Sequence, residues 1–222
     1  TAMRDFDMCP RCAAEYGNPL DRRYFSQTNS CPDCGVQLFF EKNGSGASIF
    51  DQALALEKTL EALRAGQTVA VKGIGGYLLL CDATDAAAIQ NLRQRKHRPA
   101  KPFAVLYPSL ELLRGDALVR PEEEALLNGP VSPIVLLRLL PSPTSGLATD
   151  LIAPGLKHIG ALLPYAPLLE RIAGAFGKPL IATSGNHGGS PIVFDDEAAR
   201  RELSGVSDAL LGHNRRIVTP QD

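Results

Sequence analysis

Four cysteines fall within the first 34 residues as two Cys-x2-Cys pairs, Cys9/Cys12 and Cys31/Cys34, with 18 residues between the pairs. No other feature restricts the chain so strongly. Each pair sets two thiols on one side of a tight loop, and two such loops complete a tetrahedron with metal–sulfur distances of about 2.3 Å. The spacing lies in the range read as a structural zinc site. Gly35, directly after Cys34, lets the backbone turn tightly behind the ligands. Four thiolates leave no open coordination position, so the zinc expected here is structural rather than catalytic. It supplies folding energy to a segment with little core of its own. The fifth cysteine, Cys81, lies in a predicted strand and reads as a small buried hydrophobe. Five cysteines, four of them clustered, do not make the evenly spread disulfide framework of a secreted domain. They fit the reducing cytoplasm. The Asn43-Gly44-Ser45-Gly46 cluster reads as a linker, so residues 1–47 are expected to form a small four-cysteine zinc-finger module.

From residue 48 the pattern changes. Leu56, Leu60 and Leu63 recur at i, i+4 and i+7 and mark an amphipathic helix, capped by Asp51 and stopped at Gly66. Strands are predicted over 68–71, 77–80, 103–107, 134–139, 159–163 and 180–183. Further helices are predicted over 85–95, 122–127, 167–175 and 195–203. Interleaved strands and helices argue for an α/β domain with a mixed sheet over residues 48–222. The 222 residues, 45% apolar and 21% charged, are enough for one such domain and a small appendage. No apolar run approaches 18 residues, so no membrane span is expected, and no signal peptide opens the chain. Thr1-Ala2 ahead of Met3, which reads as a cloning scar, and the stop at Gln221-Asp222 point to a piece of a longer protein.

Three segments carry candidate chemistry. Arg93, Arg95, Lys96, Arg98 and Lys101 lie within nine residues with no acid among them. This is either the solvated cationic end of a helix, which suits the macrodipole, or an anion site. In the second reading Lys96 and Arg98 leave the helix end just before Pro99 and converge on a phosphate, Arg as a planar fork and Lys as a point charge. Lys72-Gly73-Ile74-Gly75-Gly76 follows a strand. It has neither the residue order of a Walker loop nor the following helix of a dinucleotide fingerprint. It is a tight turn between strands or a place where backbone approaches a ligand. Thr183-Ser184-Gly185-Asn186 ends a strand, where α/β folds place ligands, although an ordinary loop explains it as well. The net charge of -1, the absence of Trp and an aromatic content of 6% give no global basic field and no stacking platform for nucleic acid.

Together these segments resemble the YrdC family. The run from Val71 to Val105 looks like that family's core, Lys96 and Arg98 match its KxR motif, and Ser184 and Asn186 match its SxN motif. The resemblance implies a twisted α/β sheet with flanking helices, a concave positively charged nucleotide groove, and formation of carbamoyl-type adenylates from ATP. Two departures sharpen it. Lys72 to Tyr77 replaces a threonine-containing turn of the stand-alone members, and Leu162 sits about where those proteins usually carry an arginine. Both departures are similar to HypF, the carbamoyltransferases of nickel–iron hydrogenase maturation. So are the cysteine quartet, Asp21-Arg22-Arg23-Tyr24-Phe25 between its pairs, and His213-Asn214-Arg215 near the end.

The resemblance to HypF implies a chain that holds the second quartet and the YrdC-like domain of a longer enzyme. That enzyme takes carbamoyl phosphate and ATP, makes carbamoyl-adenylate, and passes the carbamoyl group to a C-terminal cysteine of a HypE acceptor. The expected site is then Lys96 and Arg98 on the phosphates and the developing charge. Thr183, Ser184 and Asn186 orient nucleotide or carbamate. Lys72, Gly73, Gly75 and Gly76 lie at the nucleotide, Mg2+ bridges the phosphates, and Cys9, Cys12, Cys31 and Cys34 hold zinc. Two other readings compete: a threonylcarbamoyl-adenylate synthase for tRNA modification, and a module that binds double-stranded RNA through the groove.

Overall fold

The computed structural model describes residue 2 and residues 4–221; Thr1, Met3 and Asp222, which bear on the reading of the chain ends, lie outside them. The elements in chain order are α1 (Pro10–Gly17), β1 (Leu38–Lys42), β2 (Ser48–Ile49), α2 (Gln52–Arg64), β3 (Val69–Lys72), β4 (Tyr77–Asp82), α3 (Ala86–Arg95), β5 (Ala104–Leu106) and α4 (Leu110–Arg114). They continue with β6 (Ala117–Leu118), α5 (Pro121–Leu127), β7 (Val135–Leu139), α6 (Thr149–Ile152), β8 (His158–Leu162), α7 (Pro167–Phe176), β9 (Leu180–Ser184), α8 (Asp196–Glu202) and β10 (Ala209–His213). Local signals bound several helices, Asp51 and Gly66 as anticipated. Asp51 accepts a hydrogen bond from the Leu54 N–H, Asp85 from Ala87 and Ala88, and Asp195 from Ala198. Gly66 follows α2 in the left-handed region at φ 73°.

The ten strands among the described residues join one mixed sheet in the order β2-β1-β10-β3-β4-β9-β5-β8-β7-β6. Strand alternation sends side chains to two cores. Ala70, Leu79, Cys81, Val105, Ile181 and Leu137 face one side, where α3 and α8 add Ile89, Leu92 and Ala199. Val69, Val71, Leu80, Leu106, Leu180 and Leu211 face the other, where α2 and α7 add Leu60, Leu63, Leu169 and Ile172. This second face is covered only in part. On β7, Val135 and Leu137 are buried, but the intervening Leu136 is 71% exposed. The uncovered concave strip over β5, β8 and β7 is the groove.

Within the residues read as zinc module, Leu38–Lys42 is a strand that pairs antiparallel with β10, from Leu38↔His213 to Lys42↔Ala209. Residues 141–146 form the expected loop. The buried Asp116 carboxylate anchors that loop by accepting from the Thr144 and Ser145 backbone N–H groups and from the Tyr107 hydroxyl.

Candidate functional site

The end of α3 is built to turn two cations toward β9. His97 adopts the left-handed region at φ 50°. The His97 N–H donates to the Gln94 carbonyl at 3.1 Å and the Arg98 N–H to the Arg93 carbonyl at 3.0 Å. These are the paired bonds of a Schellman cap, with histidine where glycine is usual. Arg93 braces the turn. Its guanidinium donates to the carbonyls of Leu151, Arg98, Lys101 and Ile152 and lies 4.5 Å from the centre of the Phe103 ring. Burial lowers the Arg93 pKa from its ordinary value. Sequence reasoning counted Arg93 only as part of the basic stretch. Its bracing role depends on carbonyls of a distant segment.

Lys96 is 2% exposed. Its ammonium donates to the Ser184 carbonyl at 2.6 Å, the Asn186 carbonyl at 2.8 Å and the Asn186 Oδ1 at 2.7 Å. Arg98 donates to the Thr183 hydroxyl at 3.1 Å and to the Pro102 carbonyl, with its guanidinium 4.8 Å from the same Phe103 ring. The Asn186 amide also donates to the Ser190 carbonyl at 2.6 Å. The structure therefore brings together Lys96, Arg98, Thr183, Ser184 and Asn186. Gly185 permits the approach: a Cβ there would lie 2.7 Å from the Tyr77 carbonyl oxygen. Gly185→Ala is expected to cost about 1–3 kcal/mol of stability through this backbone clash. The loss would be read as a lower urea midpoint at unchanged slope; an unchanged midpoint would refute it.

A cavity of about 720 Å³ opens beside this cluster. Arg98, Lys101, Thr183 and Ser184 line one end, and Ile74 and Gly75 of the glycine turn reach its wall. Leu162 also lines it, and no aspartate or glutamate is among its described lining residues. Gly73 closes the turn by donating to the Gly76 carbonyl at 2.8 Å, and a Cβ on Gly76 would lie 2.5 Å from the Ile192 Cδ1. Lys72 does not line the cavity. Its ammonium is buried against Asp196 at 2.6 Å and donates to the His213 carbonyl at 2.9 Å. The Tyr77 hydroxyl donates to the same Asp196 oxygen at 2.7 Å. Burial, and after it the nearby Lys72 charge, press the His213 pKa down to about 4, so its ring is neutral at pH 7.

The cysteines form a second centre. Cys9 and Pro10 open α1, which carries Cys12. The Gly35 N–H donates to the Cys31 carbonyl at 2.7 Å, and a Cβ on Gly35 would meet that oxygen at 2.7 Å. The four Sγ atoms lie within 4.8 Å of one another. Three of their separations are 3.7, 3.8 and 3.7 Å. A regular tetrahedron with about 2.3 Å from centre to corner has edges of about 3.8 Å, so the thiols fit a four-coordinate zinc. Backbone N–H groups of Cys9 and Cys31 favour the Cys34 thiolate, with a pKa brought down to about 6.

Comparison with known proteins finds matches to both parts of the chain. The model of the HypF finger matches residues 8–41. The Sua5/YciO/YrdC model, described as telomere recombination, matches residues 61–222. Carbamoyltransferase HypF of Rhodobacter capsulatus is 44% identical over 222 residues, all of this chain and 29% of the relative. Threonylcarbamoyl-AMP synthase of Vibrio parahaemolyticus is 28% identical over 70% of this chain and 84% of the relative. A crystal structure of full-length HypF in a phosphate- and nucleotide-bound form superposes with a TM-score of 0.86 at 38% identity, covering all of this chain and 28% of that one. The chain thus spans less than a third of these two HypF proteins. The chain therefore belongs to the Sua5/YciO/YrdC family, with a HypF finger ahead of the matched domain and similarity to HypF proteins from end to end.

Proposed function

We propose that the groove binds ATP and carbamate and forms carbamoyl-adenylate with release of pyrophosphate. The observation that carries this reading is the polarity of the cavity: Arg98 and Lys101 line it, and among the described residues no carboxylate does. The Lys96 ammonium lies under the loop that forms its edge. Such a site favours a polyanion and stabilises charge that develops on it. In the step, a carbamate oxygen attacks the α-phosphorus, the bond to the bridging oxygen breaks, and pyrophosphate leaves with the electron pair. Arg98 would hold the phosphates, and Ser184 would orient carbamate or nucleotide. Lys96 and Asn186 would fix the loop from which Ser184 projects and add positive potential beneath it. Lys72 would act from below the glycine turn, fixing Gly73, Gly75 and Gly76 against the nucleotide. Magnesium, when bound, would neutralise phosphate charge; with no carboxylate among the described lining residues to hold it, it would arrive with the nucleotide.

On the same reading, Cys9, Cys12, Cys31 and Cys34 hold a structural zinc. Residues 1–47 act as the zinc module and residues 48–222 as the nucleotide domain. The longer protein would receive carbamoyl phosphate and deliver the carbamoyl group to a HypE-type acceptor. The second reading, threonylcarbamoyl-adenylate synthesis, is supported by the similarity to threonylcarbamoyl-AMP synthase. Against it stands Leu162, an apolar residue on the cavity wall where a cation would be needed for an amino-acid carboxylate. Exchange of labelled pyrophosphate into ATP separates the two. Carbamate, supplied directly, is expected to support exchange at least tenfold faster than threonine with bicarbonate. Faster exchange with threonine and bicarbonate would overturn the assignment.

A further inference from the structure

β10 ends at His213, and residues 214–221 run on without helix or strand. All of them are exposed except Ile217, which is half-buried. A segment with so little burial is ordered by the contacts at its ends.

One end lies on the finger. The Asn214 N–H donates to the Gln37 carbonyl at 3.1 Å, and the Gln37 N–H donates back to the Asn214 Oδ1 at 2.8 Å. The asparagine amide oxygen thus stands in for a strand carbonyl one step beyond the Leu38↔His213 pair. Gln37 comes three residues after Cys34, and its side-chain amide donates to the Pro32 carbonyl between Cys31 and Cys34. On the other flank of the quartet, Arg216 pairs at 3.1 Å with Asp5, four residues ahead of Cys9. The finger therefore holds the start of this segment from both sides.

The other end lies on the glycine turn. The Gln221 N–H donates to the Gly75 carbonyl at 2.9 Å. A Cβ on Gly75 would lie 2.6 Å from the Gln221 carbonyl oxygen, so the crossing segment itself requires glycine there. Gln221 also lines the 720 Å³ cavity beside Ile74 and Gly75. At this point the wall is shared between the turn and the segment that crosses it.

We infer that the finger is the seat of a strap, residues 214–221, that holds the glycine turn in place, and that Asn214 is the positioning residue of the seat. Asn214 is not among the described residues that line the cavity; it acts through Gln221 and Gly75. Zinc, when bound, fixes the loop that carries Pro32. The effect on ATP rests on the nucleotide reading of the cavity, whereas the seating of the strap does not.

The test reads amide hydrogen exchange by NMR. Asn214→Ala removes the acceptor at an exposed position. In the zinc-loaded variant the N–H groups of Gln221 and of Gly73, which bonds across the turn to Gly76, should exchange at least threefold faster, the scale of one exposed hydrogen bond. Asn214→Asp keeps an acceptor for Gln37 and should stay within twofold of wild type. One zinc per chain and unchanged protection of β4 and β9 report that both variants are folded. Cys31→Ser, which releases the loop carrying Pro32, should speed exchange at the same two groups. Carbamate-dependent pyrophosphate exchange is the second readout: KM for ATP should rise at least threefold in Asn214→Ala with kcat unchanged. Wild-type exchange at Gln221 in either Asn214→Ala or Cys31→Ser overturns the seat. Faster amide exchange with an unchanged KM overturns its role at the cavity. A wild-type chain with no pyrophosphate exchange overturns the nucleotide reading, and the amide measurement still decides the strap.

Discussion

Removing zinc is expected to unfold the finger while leaving most of the sheet intact. Among the described residues before β1, Cys12 is the only hydrophobic side chain in the buried core. Leu20 is 96% exposed and Phe25 64%, and α1 is only eight residues long. Such a segment cannot offset its conformational entropy by burial, and structural zinc in finger peptides contributes about 10–16 kcal/mol at neutral pH. Zinc analysis should give one ion per chain, falling to none in Cys31→Ser. Limited proteolysis between residues 13 and 30 should accelerate about a hundredfold in that variant or after chelation. Full protease resistance in a metal-free chain would show that the finger stands without the ion.

Lys96→Met should act on stability and chemistry together. The ammonium satisfies three oxygens in a buried pocket. A thioether of similar length fills the space but removes the charged donor from all three; the Ser184 carbonyl keeps the Asn186 N–H and the Asn186 Oδ1 keeps the Ser184 hydroxyl, so the loss is expected to be about 2–4 kcal/mol. The loop carrying Ser184 then loses its anchor, and carbamate-dependent pyrophosphate exchange is expected to fall at least a hundredfold, the scale of removing an oriented charge-stabilising group. Arg98→Ala is the comparison. Arg98 is half-buried and lines the cavity directly, so its loss should reduce exchange tenfold to a hundredfold with a much smaller shift in the denaturation midpoint. If Lys96→Met kept wild-type exchange, the role given to this loop would be wrong.

Much of the fold was legible because local chemistry and periodicity agree. Asp51 caps the helix as its position predicted, and the helices read from 85 and 195 start within a residue of those positions, with Asp85 and Asp195 as their caps. The strand beginning at Tyr77 was also legible from its composition. What stayed hidden was non-local. Leu38–Lys42 and Ala209–His213 are short apolar runs whose strand character comes from pairing with each other across the whole chain, and periodicity alone does not separate such runs from other buried segments. The insertion of β9 between β4 and β5 is likewise absent from any local pattern. The cysteine site could be read from spacing, because its geometry is set within two tight turns. The meeting of Lys96 with Ser184 and Asn186 could not. Only family resemblance brought these motifs, 88 and 90 residues apart, into one site.

The strand Leu38–Lys42 has a mechanical consequence. Its five paired residues bind the polypeptide leaving the finger along β10, which in turn lies parallel to β3. β10 ends at His213, whose carbonyl accepts from Lys72, and Lys72 is the last residue before the glycine turn. A tug on the finger is therefore borne as shear along β10 rather than absorbed by a slack tether. The finger is geared to the floor of the glycine turn, and the strand that leaves it covers an edge of β10 that would otherwise be open to pairing with another chain.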